Sequence, residues 1–189
     1  MTVKQKPAEK IILGIDPGTT ITGYGVIRAG KAGPELITIG CIDLSKFEDH
    51  YTKLKHIFDR TTGIIDEYHP DELAIEAPFY GKNVQSMLKL GRAQGAAIAA
   101  ALSRSLPVFE YAPRKIKLSI TGVGSASKEQ VAAMLMKILR FSDPAVKLDA
   151  TDGLAAALCH FYQSGRPYAG AGKSKSWKQF IRENPERIE

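Results

Sequence analysis

Apolar and polar positions divide the chain into strands first and helices later. Three runs rich in β-branched and apolar residues occupy residues 11–16, 21–27 and 36–44, and the turn sequences PGTT and KAGPE separate them. Runs of this length with turn residues between them predict an antiparallel meander. Apolar residues at helical spacing then predict a helix over residues 48–68, which His69 and Pro70 end.

The second half of the chain alternates strands with helices. Apolar runs predict strands over residues 72–76 and 107–111, and a segment crowded with Gly and Ala predicts a helix over residues 84–106. Ser127 followed by Gln130 matches a capping box, and a last helix is predicted from about Asp149 to Gln163. The order predicts an α/β fold with a mixed five-stranded sheet, an antiparallel meander followed by parallel strands, and helices on both faces.

Length and composition favour one folded domain with short extensions. A domain near 189 residues buries roughly 70% of its unfolded surface, so a full core is expected. We predict an N-terminal extension over residues 1–10, a single domain over residues 11–164, and a tail over residues 165–189. That tail carries six basic and three acidic residues and is expected to be flexible.

The residue content narrows the class of protein. No segment approaches the ~18 consecutive apolar residues of a membrane span, and the N-terminus is charged. The two cysteines and four histidines have no disulfide or metal-ligand spacing. These features predict a soluble cytoplasmic protein without a membrane partner.

Charge is distributed unevenly along the chain, whose net charge is +6. Residues 82–147 contain eleven Lys and Arg against three acidic residues, whereas residues 48–76 contain eight acidic against three basic. The basic stretch indicates a polyanion such as nucleic acid, because phosphate contacts dominate that kind of affinity. A solvated basic surface is an equal alternative.

Four acidic residues end apolar runs or begin a helix: Asp16, Glu76, Asp149 and Asp152. Separately, each has an ordinary interpretation as a turn residue, a solvent-facing strand end or a helix cap. If the four converge, like charges ~4 Å apart repel by about 4 kcal/mol per pair at an effective dielectric of 20, so a cation is required. Such a site would hold two Mg²⁺ ions and hydrolyse a phosphodiester by in-line displacement.

Four segments of the chain resemble a known family. IILGIDPGTTITGYGVI, LAIEAPFYGKNVQSMLKLGRAQGAAIAA, LPVFEYAPRKIKLSITGVGSASKEQV and LDATDGLAAALCH are similar, in this order, to the RuvC family of Holliday-junction resolvases, within the RNase H-like superfamily. The resemblance implies a homodimeric endonuclease that makes paired symmetric nicks in four-way junction DNA during recombination and repair. It also implies Mg²⁺, for which Mn²⁺ can substitute, and cooperation with the RuvA and RuvB branch-migration proteins.

The resemblance also assigns expected roles to individual residues. Asp16, Glu76, Asp149 and Asp152 fall on the family's four metal-binding positions, although some relatives carry His at position 149. Lys117 and Lys128 fall on positions beside the site, where they would position the scissile phosphate and stabilise its growing charge, with a solvated lysine as the alternative. Phe79 matches an aromatic residue that stacks on bases of the opened junction. Arg114, Lys115 and Lys82 are further candidate DNA contacts, and the helix over residues 84–106 is the expected dimer interface.

Three other functions compete with a junction nuclease. GIDPGTT also looks like the phosphate loop of actin-like ATPases and sugar kinases, but those enzymes need a second such domain that is not found after Gly165. A second alternative binds junctions without cutting them. A third is an RNase H-like nuclease that acts on RNA or on RNA:DNA hybrids.

Overall fold

Ten secondary-structure elements form an α/β arrangement in the described part of the chain. The computed structural model describes residues 9–30, 32–78, 83–142 and 147–164. The strands in these ranges are β1 (Lys10–Asp16), β2 (Ile21–Gly30), β3 (Gly33–Asp43), β4 (Glu72–Glu76) and β5 (Val108–Tyr111). The helices are α1 (His50–Tyr68), α2 (Val84–Ser103), α3 (Pro113–Thr121), α4 (Lys128–Ile138) and α5 (Leu148–Ser164).

The strands form one mixed sheet in the order β3-β2-β1-β4-β5. β1, β2 and β3 pair in antiparallel fashion, whereas β4 pairs in parallel with β1 and with β5. The predicted meander followed by parallel strands is therefore confirmed. Because β1, β4 and β5 run in the same direction, their carboxyl ends meet at one edge of the sheet.

Helices cover both faces of the sheet, as the pattern predicted. On β1, side chains point alternately to opposite faces, so Ile12 packs in the core beneath α3, α4 and α5. Its neighbour Leu13 packs in the second core, beneath α1 and α2. Both side chains are 0% exposed, and burying each contributes roughly 1.5–3 kcal/mol. No helix in the described ranges is long and apolar enough to cross a membrane.

α5 lies unusually close to the sheet because glycines face each other at the contact. A Cβ added to Gly23 on β2 would lie 1.8 Å from the carbonyl oxygen of Asp149, and one added to Gly153 would lie 2.5 Å from the carbonyl oxygen of Gly23. Real Cβ atoms do not approach backbone so closely, so only glycine fits at either position. The first turn of α5 is thereby held against the edge where β1 ends.

The structure differs from the prediction mainly between β5 and α4. α3 was not predicted, and its signal was weak because the helix has nine residues, has no side-chain cap hydrogen bond and buries only Ile116 and Ile120. α2 ends at Ser103, three residues before the predicted end. The capping box of α4 is present as predicted, with reciprocal hydrogen bonds between Ser127 and Gln130. Residues 1–8 and the predicted tail lie outside the described residues.

Candidate functional site

Two of the predicted acidic residues lie side by side where neighbouring parallel strands end. Ile15 on β1 is the register partner of Ile75 on β4. Asp16 and Glu76 are the next residues and the last of their strands. The parallel pairing therefore brings together two carboxylates that are 60 positions apart in the sequence.

The turn that follows Asp16 is held by hydrogen bonds to a buried hydroxyl. The Oγ1 of Thr22, which is 0% exposed, accepts a bond from the backbone N–H of Gly18 and donates to its carbonyl, both at 3.2 Å. On the outer side, the Lys53 ammonium donates to the carbonyl of Thr19 at 3.2 Å. These contacts fix the direction in which the chain leaves β1, and so the position of the Asp16 carboxylate.

α5 contributes the other two acidic residues from its first turns. Asp149 and Asp152 are three positions apart, so both side chains project from the same side of the helix. The Asp149 side chain is 45% exposed, whereas the Asp152 side chain is only 14% exposed. The positive end of the helix dipole favours negative charge at this position. The close approach of α5 to Gly23 brings this helix end to the edge that carries Asp16.

Two cavities open on either side of the Asp16 and Glu76 carboxylates. The larger, about 730 Å³, is also lined by Asp152 and by the basic side chains Arg114, Lys117 and Lys128. The smaller, about 270 Å³, is lined by the same two carboxylates with Asp149 and with Gln94 from α2. The acidic residues therefore form the wall between a basic cavity and a second, less charged one.

Burial and mutual repulsion raise the pKa values of three carboxyl groups in this wall. Burial, together with the charges of Asp152 and Asp149, raises the pKa of Asp16 from 3.8 to about 7. Burial, followed by the charges of Asp16 and Asp152, raises the pKa of Glu76 from 4.5 to about 8. The pKa of Asp152 is also raised, chiefly by burial. The folded protein therefore brings these carboxylates together at an electrostatic cost.

Lys128, the first residue of α4, offsets part of that cost. Its ammonium lies 2.5 Å from the Asp152 carboxylate and 3.5 Å from that of Asp149. Burial lowers the pKa of Lys128, but the hydrogen bond to Asp152 and the nearby carboxylates outweigh burial and raise it above its ordinary value. The ammonium is consequently charged at neutral pH and serves as a counter-ion for the acids of α5.

The donor set matches a hard divalent cation in chemical type. Oxygen is the only donor atom that the four acidic side chains offer, and Mg²⁺ prefers carboxylate oxygens supplemented by water and phosphate. Among the described residues, no group of three or more Asp, Glu, His or Cys side chains is already arranged as a ligand cage. The Lys128 ammonium stands between two of the carboxylates instead. The residues fit a divalent ion by chemistry, with water and phosphate needed to complete its coordination.

The remaining predicted contacts lie in different places. Lys117 and Arg114 face the basic cavity. Lys115 does not line that cavity, and its ammonium lies 5.1 Å from the centre of the Tyr111 ring. Phe79 and Lys82 fall outside the described residues, so their roles stay predictions.

Gln94 is a candidate functional residue that the sequence pattern did not single out. This α2 residue is 8% exposed and hydrogen-bonds to the backbone carbonyl of Glu76. A signal was available, because Gln94 is a polar residue between the buried Ala93 and Ala97 within the Gly/Ala-rich segment. A buried amide on the apolar side of a helix requires hydrogen-bond partners.

Comparison with known proteins places the chain in a family. The family model for the crossover junction endodeoxyribonuclease RuvC matches residues 12–160. The RuvC of Bacteroides fragilis is 65% identical over 97% of this chain and 98% of its own, and that of Porphyromonas gingivalis is 58% identical over 96% and 98%. A structure of Thermus thermophilus RuvC in complex with a Holliday junction substrate superposes with a TM-score of 0.74 at 31% identity, covering 82% of this chain and 94% of that one. The expected RNase H-like fold is thereby confirmed, and the chain belongs to the RuvC family of crossover junction endodeoxyribonucleases.

Proposed function

We propose that this protein is a metal-dependent endonuclease that resolves four-way DNA junctions by paired symmetric nicks during recombination and repair. The observation that carries the proposal is the convergence of Asp16, Glu76 and Asp152 on one cavity whose other side chains include three cations. Family membership supports the same activity.

The four acidic residues would hold the metal, for which we propose two Mg²⁺ ions per site, with Mn²⁺ as a substitute. Bound ions of this kind lower the pKa of an attacking water and stabilise the leaving oxygen of a phosphodiester. Carboxylates with raised pKa values support this assignment, because a nearby dication favours their ionised form. Ion binding and carboxylate ionisation should therefore strengthen each other.

The basic wall of the larger cavity would receive the scissile phosphate. Lys117 lines this wall, and its positive charge acts to lower the pKa values of Glu76 and Asp152. A cation at this distance from the carboxylates can position a phosphate and stabilise the negative charge that grows as the bond breaks. Arg114 borders the same cavity and offers two parallel donors to phosphate oxygens. We assign catalysis to Lys117 and Lys128, and DNA positioning to Arg114.

Other DNA contacts come from the family resemblance. We propose base stacking by Phe79, backbone contact by Lys82, and a peripheral contact by Lys115. These assignments are tested by comparing junction binding and nicking of alanine variants, since a phosphate contact weakens binding to all sequences about equally.

The exposed side of α2 supports a homodimer. Val84, Leu88 and Leu102 are 63%, 52% and 60% exposed, which is unusual for large apolar residues on one helix. Between them, a Cβ on Gly91 or Gly95 would meet no atom within 4 Å. Successive spacings of four, three, four and seven residues place these positions on one stripe, with large side chains at its ends and small ones at its centre. A second copy of α2 could cross at the glycines, and a two-fold dimer would present two sites to two strands.

Location and partners complete the proposal. Both cysteines are free, which agrees with a reducing cytoplasm. We also propose cooperation with the RuvA and RuvB branch-migration proteins, which family membership supports. Co-sedimentation of this protein with RuvA, RuvB and a synthetic junction would test it, with linear duplex as the control.

The deciding experiment is a nicking assay on a synthetic four-way junction with Mg²⁺, with Mn²⁺ and with EDTA. We expect paired symmetric nicks that ligase can seal, and only in the presence of metal. Asp16→Asn, Glu76→Gln and Asp152→Asn should bind the junction but not cut it. Intact DNA despite tight binding would favour a non-cleaving junction protein, and preference for an RNA:DNA hybrid at fixed salt would favour another nuclease.

A further inference from the structure

We propose that Gln94 is a positioning residue that fixes the Glu76 end of β4 against helix α2. The inference deepens the proposed function and rests on it for the role of Glu76 as a metal ligand. The hydrogen bonds of Gln94 go to the backbone carbonyl of Glu76 and to the Glu110 side chain, so its influence on the Glu76 carboxylate would pass through the backbone.

The hydrogen bonds of Gln94 join three elements. Its amide nitrogen donates to the backbone carbonyl of Glu76 at 3.3 Å and to the Oε2 of Glu110 on β5 at 3.1 Å. An amide NH₂ group has two hydrogens, so both donors are used. The opposite assignment of the amide would place its oxygen against two acceptor oxygens, and the network therefore fixes its orientation.

The location of these bonds matters because β4 ends there. Glu76 is the last residue of β4, and the register partner of the preceding Ile75 is Glu110 on β5. Beyond Glu76, the backbone N–H of Ala77 still bonds to Tyr111 at 2.9 Å. The amide of Gln94 therefore connects the ends of two adjacent strands to α2 at the residue that carries the carboxylate.

Burial strengthens the case for a positioning role. Gln94 is 8% exposed and lines the smaller cavity together with Asp16, Glu76 and Asp149. A buried amide is costly unless its hydrogen bonds are made, so the contact with Glu76 is not an incidental surface contact. Groups that hold a metal ligand in place typically change metal affinity or activity 10- to 100-fold when they are removed.

The test uses Gln94→Met, which keeps the length of the side chain and removes the amide. The matched control is Gln85→Met, the same change at an exposed position of the same helix. We expect kcat for junction nicking to fall about tenfold in Gln94→Met, with little change in KM. Binding of Mn²⁺ to the DNA-free protein, measured by calorimetry, should weaken by a similar factor. Gln85→Met should match the wild type in both measurements.

A second variant keeps the proposal testable if Gln94→Met folds poorly. Glu110 is exposed on an edge strand, so Glu110→Ala should leave the fold intact while removing one acceptor of the amide. We expect a fall in kcat of roughly three- to tenfold, the equivalent of one hydrogen bond.

Three results would overturn the proposal. One is wild-type kcat and Mn²⁺ affinity in Gln94→Met. Another is a raised KM with unchanged kcat, which would mean that Gln94 contacts DNA. The third is a lower melting temperature with normal Mn²⁺ affinity and normal kcat per folded molecule, which would indicate packing alone. If the wild type itself failed to nick junctions, the proposed function would fall, and Mn²⁺ affinity would still decide the role of Gln94.

Discussion

Replacing Asp16 by Asn should stabilise the metal-free protein at alkaline pH while abolishing catalysis. Burial and neighbouring carboxylates raise the pKa of Asp16 from 3.8 to about 7. The unfolded chain, where the pKa is near 4, releases this proton more readily than the folded chain. Stability is therefore lost as pH rises from about 4 to about 7, and it stays low above that range.

The magnitude follows from the size of the shift. About three pKa units correspond to about 4 kcal/mol at 1.36 kcal/mol per unit, if the ionised side chain gained nothing from water. Asp16 is half-buried and its repulsion is shared with Glu76, so screening by water leaves about 1–2 kcal/mol. For a chain of this size, that energy raises the melting temperature by about 3–6 °C.

The assay is thermal unfolding in EDTA near pH 8 and again near pH 5.5, where the ionisation penalty is smaller. Asp16→Asn should melt higher than the wild type at the alkaline pH, with the difference shrinking at the acidic one. Added Mg²⁺ should stabilise the wild type more than the variant, because a bound ion stabilises the native state and the proposed metal site includes the Asp16 carboxylate. Glu67→Gln, which removes an exposed charge on α1, is the control. An equal gain in this control, or a gain independent of pH, would refute the reasoning.

Three further outcomes are expected. Lys128→Ala removes the counter-ion of the α5 acids, so the melting temperature in EDTA near pH 8 should fall by about 2–4 °C. Added Mg²⁺ should restore the melting temperature. An unchanged melting temperature in EDTA would refute the counter-ion role. Leu88→Glu on the exposed side of α2 should shift the proposed dimer to monomer in analytical ultracentrifugation, with little loss of melting temperature. A dimer that persists in this variant would contradict the assignment of the interface to α2. Tyr111→Phe deletes the 2.6 Å hydrogen bond to buried His160 and should cost about 1–2 kcal/mol in urea unfolding, whereas no loss would show that the bond is dispensable.

Much of the fold followed from local pattern. Alternating and continuous apolar runs gave the five strands, and the Ser127 capping box gave the start of α4, because these signals depend on neighbours within a few positions. α3 could not be predicted, because nine residues with two buried isoleucines show too little helical periodicity. The strand order could not be inferred from such local patterns, because the placement of β4 beside β1 depends on contacts between segments far apart in the sequence.

The candidate site likewise combines features that the sequence determines with features that only the packing of distant segments decides. Sequence alone determined which carboxylates end strands or begin a helix, because strand ends and helix starts are marked locally by turn and capping residues. Tertiary structure decided that the Lys128 ammonium lies against the Asp152 carboxylate and that the Gln94 amide hydrogen-bonds to the backbone carbonyl of Glu76. It also decided that glycines let α5 reach the sheet. Periodicity describes the surroundings of each residue along its own element, whereas charge repulsion, close approach and hydrogen bonding depend on which distant segments packing brings within a few ångströms.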